Sequence, residues 1–165
     1  MRDAKVRLIE GLDLFAGMPR RELRSVARLG TLVDAPARRV LQRQGDLEGE
    51  FVIVLAGVVA LEHDGRTAAI LCAGEAWGDP PRAPQGSRHA ASARTRSPAT
   101  VLVYTRQEYE VLLSRCPHIA NKMERARAHE IRSRFLQSTR TGPVDGAAPP
   151  DFSVVGAAMW GTGAT

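Results

Sequence analysis

The chain predicts a mainly β fold with flanking α-helices, a roll or small barrel of short strands that helices enter and close. Three observations carry this. From Leu32 to Leu102 short apolar and β-branched runs alternate with Gly, Pro and Asp. Before them, Pro19 opens a segment with Leu23, Val26 and Ala27 on one helical face; after Tyr104, helical spacing returns. No helix of crossover length separates the runs, which favours an antiparallel roll over a parallel sheet.

Taken in order, Leu8, Ile9, Leu12, Leu14 and Phe15 form an apolar lead-in, and Gly30 is a stop for the helix begun at Pro19. The predicted strands are Thr31 to Val33, Val40-Leu41, Phe51 to Leu55, Val58 to Leu61, Ala68 to Leu71 and Val101 to Tyr104. Asp64-Gly65 between two of these runs is a hairpin signal, because both central positions of a type I′ turn require positive φ. Gly45-Asp46 and Gly57 punctuate neighbouring strands. Glu108 to Leu113 forms a short turn that ends before Pro117. A second helix then begins, with Ile119, Met123, Ile131 and Phe135 as an apolar seam that Arg127 interrupts.

With 165 residues and 44% apolar content the chain supports one domain with a real core. We place that domain at residues 1–138, with the roll at about 31–104 and the closing helices at about 106–138. From about Thr139 Gly, Ala, Pro, Ser and Thr dominate, and residues 139–165 read as a disordered tail or one ordered only against a partner.

Cys72 and Cys116 lack the spacing of a zinc site or a bridge framework and read as reduced, packed thiols. No signal-peptide core and no run of membrane-spanning length occur, so the expected compartment is the cytoplasm. Of the 23 basic residues only Lys5 and Lys122 are lysines, and the net charge is +5 with a pI near 10.0. The arginines are scattered rather than gathered into a block, which argues against direct DNA binding. An enzyme is not expected: no Ser/His/Asp grouping, glycine-rich phosphate loop or metal constellation is evident. His63, beside Asp64-Gly65, reads as a solvent-facing turn residue, and Trp77 as a core residue rather than a base-stacking platform.

Several segments, in order, resemble the cyclic nucleotide-binding domain family of catabolite activator proteins and protein kinase A regulatory subunits. Leu12-Asp13-Leu14-Phe15-Ala16-Gly17 is similar to the family's entry segment, and Pro36 to Leu41 to its first roll strand. Gly45-Asp46 resembles its glycine-acid turn, and Phe51 to Gly57 its central strand and corner. The resemblance covers about residues 8 to 136. It implies a cyclic nucleotide-binding-type, jelly-roll-like β-roll with N-terminal helices and C-terminal closing helices.

The resemblance also implies a cassette that grips the phosphate and ribose of a cyclic nucleotide. Gly74-Glu75-Ala76-Trp77-Gly78-Asp79 matches its lead-in, and Asp79 stands where the family's ribose-binding Glu stands. Asp79 reads equally well as a turn residue before Pro80. Aligned without gaps from Tyr109, His89 falls at the phosphate-binding arginine and Arg88 one residue early. An imidazole offers less than the planar fork of a guanidinium, and Arg88 replaces it only if a bulge turns it inward. Pro80, Pro81 and Pro84 oppose the short helix whose N–H groups would hold phosphate, and Arg82 is an alternative donor. Ala90, Ala91 and Ser92 allow close backbone approach or simply fill a tight corner. The candidate ligand-binding residues are thus Gly78, Asp79, Arg82, Arg88, His89, Ala90 and Ala91, with no catalytic or metal-binding residue.

The function expected is that of a stand-alone, non-enzymatic regulatory module with no cofactor. Its ligand is cAMP or cGMP, and ligand entry shifts the closing helix to control a protein partner. Homodimerisation through that helix is a further expectation, and membrane association is not expected. The residues after Leu136 do not supply the helix-turn-helix of the family's transcription factors. The alternative is a ligand-free degenerate roll that serves as a protein-interaction or scaffold domain.

Overall fold

The structure is a computed structural model that describes residues 2–78, 84–119, 121 and 122, with side chains from residue 4. Helix α1 spans Arg2–Glu10, a 3-10 turn Asp13–Phe15, and helix α2 Arg20–Leu29. Eight strands follow among the described residues: β1 Thr31–Ala35, β2 Val40–Gln42, β3 Glu50–Ala56, β4 Val59–His63, β5 Arg66–Leu71, β6 Ala76–Trp77, β7 Ser92–Thr95 and β8 Ala99–Thr105. Helix α3, Arg106–Arg115, closes the described part, and further helical turns begin at Pro117.

The strands form two four-stranded antiparallel sheets, ordered β1-β8-β3-β6 and β2-β7-β4-β5. This is the β-roll with flanking helices that the sequence predicts. Strand β3 is apolar at every interior position because both of its faces are covered. Phe51, Ile53 and Leu55 meet the helices, while Val52 and Val54 point between the sheets. Strand β8 repeats the arrangement, with Leu102 and Tyr104 toward the helices and Val101 toward the opposite sheet. Burying side chains such as Ile53 or Leu102 contributes roughly 1.5–3 kcal/mol each.

The helices are fastened at identifiable points. The Tyr104 hydroxyl donates to the carbonyl of Val26 across 2.8 Å, and the Phe51 ring stacks on Tyr109 at 4.1 Å between centroids. Lys5 Nζ donates to the carbonyl of Gly30 at 3.0 Å, meeting the negative end of α2. Gly30 ends that helix with φ −85, so its role is close packing: a Cβ there would lie 2.7 Å from Leu102 and 2.8 Å from Tyr104. The Asp64-Gly65 hairpin forms with φ +48 and +74, as a type I′ turn demands.

Some expectations need correction. Pro36 to Arg39 is a turn rather than part of a strand, since Arg38 has φ +66, and only Val40–Gln42 pairs. Strands β6 and β7 went unpredicted, because two residues are too few for a pattern and Ser-Ala-Arg-Thr is too polar. The turn expected at Glu108 to Leu113 is a full helix, opened by a reciprocal capping box between Thr105 and Glu108. Cys72 is exposed, because it sits in the turn after Leu71, whereas Cys116 is buried as expected.

Asp79, Pro80, Pro81, Arg82 and Ala83 lie outside the described residues. So do Met123, Arg127, Ile131 and Phe135 of the second closing helix, and the tail 139–165. Among the described residues no helix is long and apolar enough to cross a membrane.

Candidate functional site

The site is built at one end of the second sheet, where residues 42–48 run antiparallel to residues 87–93. Glu48 N–H donates to Ser87 O and His89 N–H to Asp46 O, and Gly45 N–H donates to His89 O, each at 2.8 Å. Leu47 and Arg88 form an isolated bridge in the same ladder. Gly45 adopts φ +86, a value that glycine reaches without strain, and this lets the turn close on His89.

Period-two geometry then separates Arg88 from His89. Arg88 is exposed, and its Nη1 donates to the carbonyl of Gly45 at 2.7 Å. His89 is buried and shares its face with Ala91 and Ala93, which belong to the apolar layer between the sheets. Burial pushes the His89 imidazole below its ordinary value of 6.5, and the carboxylate of Asp46 pulls it partly back. The group aimed into the roll is therefore predominantly neutral near neutral pH and carries an anion-binding charge only when protonated.

Gly78 stands at the other end of the cassette. It follows the buried Trp77 with φ +83, and a Cβ there would fall 2.2 Å from the carbonyl oxygen of Glu50. Only glycine lets the chain pass this close to β3 on its way to residue 79. Trp77 is a core residue, packed with Val52, Val54, Leu61 and Ala91.

One side chain ties the two ends together. Gln42 Nε2 donates to Ala91 O at 2.9 Å, and Gln42 Oε1 accepts from the Trp77 indole at 2.8 Å. Gly78, His89, Ala90 and Ala91 are thereby held in one framework, with Arg88 turned to its outside. The positions of Asp79 and Arg82 fall outside the described residues.

Residues that sequence reasoning did not assign to the site complete the frame. His63 is half-buried at the end of β4 rather than solvent-facing. Its Nδ1–H donates to the carbonyl of Ala90 at 2.6 Å, and its Nε2 lies 3.3 Å from Asp64 Oδ2. Gln44 bonds Asp64 through both its amide atoms at 2.9 Å, and its backbone N–H donates to Ser92 Oγ at 2.9 Å. Polar residues at the ends of apolar strands were the only available signal, and their partners lie up to 49 positions away. Among the described residues no three His, Cys, Asp or Glu side chains gather as metal ligands.

The family model described as the cyclic nucleotide-binding domain matches residues 32–116. No curated protein matches the chain. Among solved structures, catabolite activator protein from Thermus thermophilus is 27% identical with a TM-score of 0.62. The match covers 77% of this chain and 62% of that one, so this chain spans under two thirds of that protein. A cyclic nucleotide-binding domain from Methylobacillus flagellatus is 20% identical, with a TM-score of 0.65 and coverage of 90% and 86%. The regulatory domain of Toxoplasma gondii protein kinase A, solved with cAMP, is 18% identical, with a TM-score of 0.59 and coverage of 78% and 50%.

Proposed function

Because the chain belongs to the cyclic nucleotide-binding domain family, we propose that it is a regulatory module that takes a cyclic nucleotide, cAMP first, into the roll. The observation that carries this is the inward, buried imidazole of His89 on a strand whose ends are pinned by Gln42. His89 meets the cyclic phosphate through an imidazole N–H, with a charge added when the ring is protonated, Ala90 and Ala91 allow close approach of the backbone, and Gly78 leads the chain to Asp79 for the ribose. The solved neighbour bound to cAMP supports the choice of ligand through its fold.

Output runs through the closing helix. Helix α3 is capped rigidly at Thr105 and stacked on β3 through Tyr109, and the helical turns from Pro117 are anchored by buried Ile119 and by Lys122, which donates to Ala16 O. Ligand in the roll biases these turns between positions and so alters a protein contact, by dimerisation or by a different partner. This is a signalling role in the cytoplasm, with no chemistry performed on the ligand.

A second reading is a ligand-free roll retained for protein interaction. It is favoured by the outward Arg88, whose guanidinium is committed to Gly45 O. Thermal unfolding with millimolar cAMP, cGMP and AMP separates the two. Ligand at ~100 times its dissociation constant adds about 2.7 kcal/mol, a shift of several degrees. A shift with a cyclic nucleotide and none with AMP supports the first reading; no shift with any of the three overturns it in favour of the second.

A further inference from the structure

Arginines that are scattered in sequence converge at one corner of the roll, on the side away from the helices. Thr95 of β7 is fully buried, and the turn at residues 36–39 is fastened to it. Arg38 N–H donates to Thr95 O at 2.8 Å, Arg39 N–H to Thr95 Oγ1 at 2.7 Å, and that hydroxyl donates to Pro36 O at 2.7 Å. The exposed Arg38 and Arg39 are thereby set beside Arg94 and Arg96, the two neighbours of Thr95.

Those two share one carboxylate. Arg94 Nε lies 3.3 Å from Glu62 Oε2, while Arg96 Nη2 lies 3.2 Å from Glu62 Oε1 and donates to Thr67 Oγ1 at 2.7 Å. Among the described residues neither the Arg38 nor the Arg39 guanidinium has a hydrogen-bond or ion-pair partner. Two of these four arginines therefore share the single carboxylate of Glu62, and the other two carry their charge beside them without one. Arg38 also holds a left-handed backbone, φ +66, that glycine would adopt without strain, so an arginine stands where backbone geometry favours glycine.

The same face is not purely polar. The register aligns Val40, Arg94, Ala60 and Ile70 in a row across all four strands, and Ile70 is 43% exposed. We infer that this outer face docks an acidic segment of a partner protein. Carboxylates seat on Arg38, Arg39 and the Arg94–Arg96 pair, and an apolar side chain lies against Ile70. The row spans three strand spacings of about 4.8 Å, which suits a few residues of peptide. The arginines gather at a corner instead of tracking along a stripe, and a phosphate backbone would offer nothing to Ile70, so nucleic acid is the poorer fit.

The test is fluorescence anisotropy on the full chain with a labelled peptide of alternating Glu and Leu. A Lys/Leu peptide, a single-stranded oligothymidine and phosphatidylglycerol vesicles are the comparison probes. Expected is saturable, salt-sensitive binding of the Glu/Leu peptide alone, weakened about tenfold or more by the double substitution Arg38→Glu with Arg39→Glu. The equal charge change Arg20→Glu with Arg21→Glu, on α2, should leave binding intact. If the first pair fails to fold, Arg38→Gly with Arg39→Gln gives the same reading while relieving the backbone. Unchanged affinity in the Arg38/Arg39 variants, equal loss in the α2 variant, or tighter binding of the oligonucleotide or vesicles would overturn the inference.

Discussion

The indole N–H of Trp77 donates to Gln42 Oε1 across 2.8 Å, joining the short strand that precedes the cassette to the strand on the far side of the roll. The same amide grips Ala91 O, so one side chain sets the separation between the cassette's two ends. Gln42→Leu removes both bonds and leaves the buried indole N–H without its partner. A loss of roughly 1–3 kcal/mol is expected in urea unfolding, together with weaker binding of any roll ligand. Unchanged stability would show that the bridge is dispensable.

Gly78→Ala should be more damaging than Gly65→Ala. Both positions have positive φ, at +83 and +74, and each substitution carries about 1–2 kcal/mol of backbone strain. At Gly65 nothing lies within 4 Å of a new Cβ, whereas at Gly78 it would strike Glu50 O at 2.2 Å. Midpoints of chemical denaturation should therefore rank wild type first, Gly65→Ala next and Gly78→Ala last.

The two pH dependences of His89 have opposite signs. Its folded imidazole titrates below 6.5, the unfolded value, so the unfolded chain binds the proton more readily. The stability it contributes is present above that value and is lost as pH falls through the folded pKa. His89→Gln should flatten this acid-side decline in melts run between about pH 8 and about pH 5. Anion capture by the imidazolium instead strengthens as pH falls, by up to about tenfold per pH unit, and calorimetry with cAMP should show it.

The two cysteines should differ sharply toward a thiol reagent. Cys72 is exposed and should be labelled in the native protein. Cys116 is buried, and burial, with the charge of Glu22 next in weight, raises its thiol pKa, while a hydrogen bond with Ser25 and the charge of Arg115 oppose the rise. It should be labelled only after denaturation; rapid native labelling of both would place the α2–α3 junction in an open state.

Tyr104→Phe deletes the hydroxyl that ties β8 to Val26 O while keeping the ring in the core. A cost of about 1–2 kcal/mol is expected in urea unfolding, with little change in roll ligand affinity. A large loss of affinity would show that the α2 contact reaches the roll interior.

Much of the architecture was legible because it rests on local chemistry. The apolar run from Phe51 to Leu55, the Asp64-Gly65 turn and the Gly57 corner each answer to a period or a dihedral requirement. Strands β6 and β7 were not legible, since their pairing is dictated by partners far along the chain. The cassette was visible as a segment, and period two already set Arg88 and His89 on opposite faces. The frame around it was hidden: His63 looked like a solvent-facing turn residue until its ring proved to hold Ala90 O.

The β-roll class and the family resemblance were thus readable from the chain on its own, because periodicity, turn chemistry and residue identity are local properties. The tertiary structure alone decided that His89 is buried, that Gln42 spans the cassette, and that Arg38, Arg39, Arg94 and Arg96 share one corner. Burial depth and cross-strand hydrogen bonds arise only when segments tens of residues apart pack together, and no local pattern encodes them.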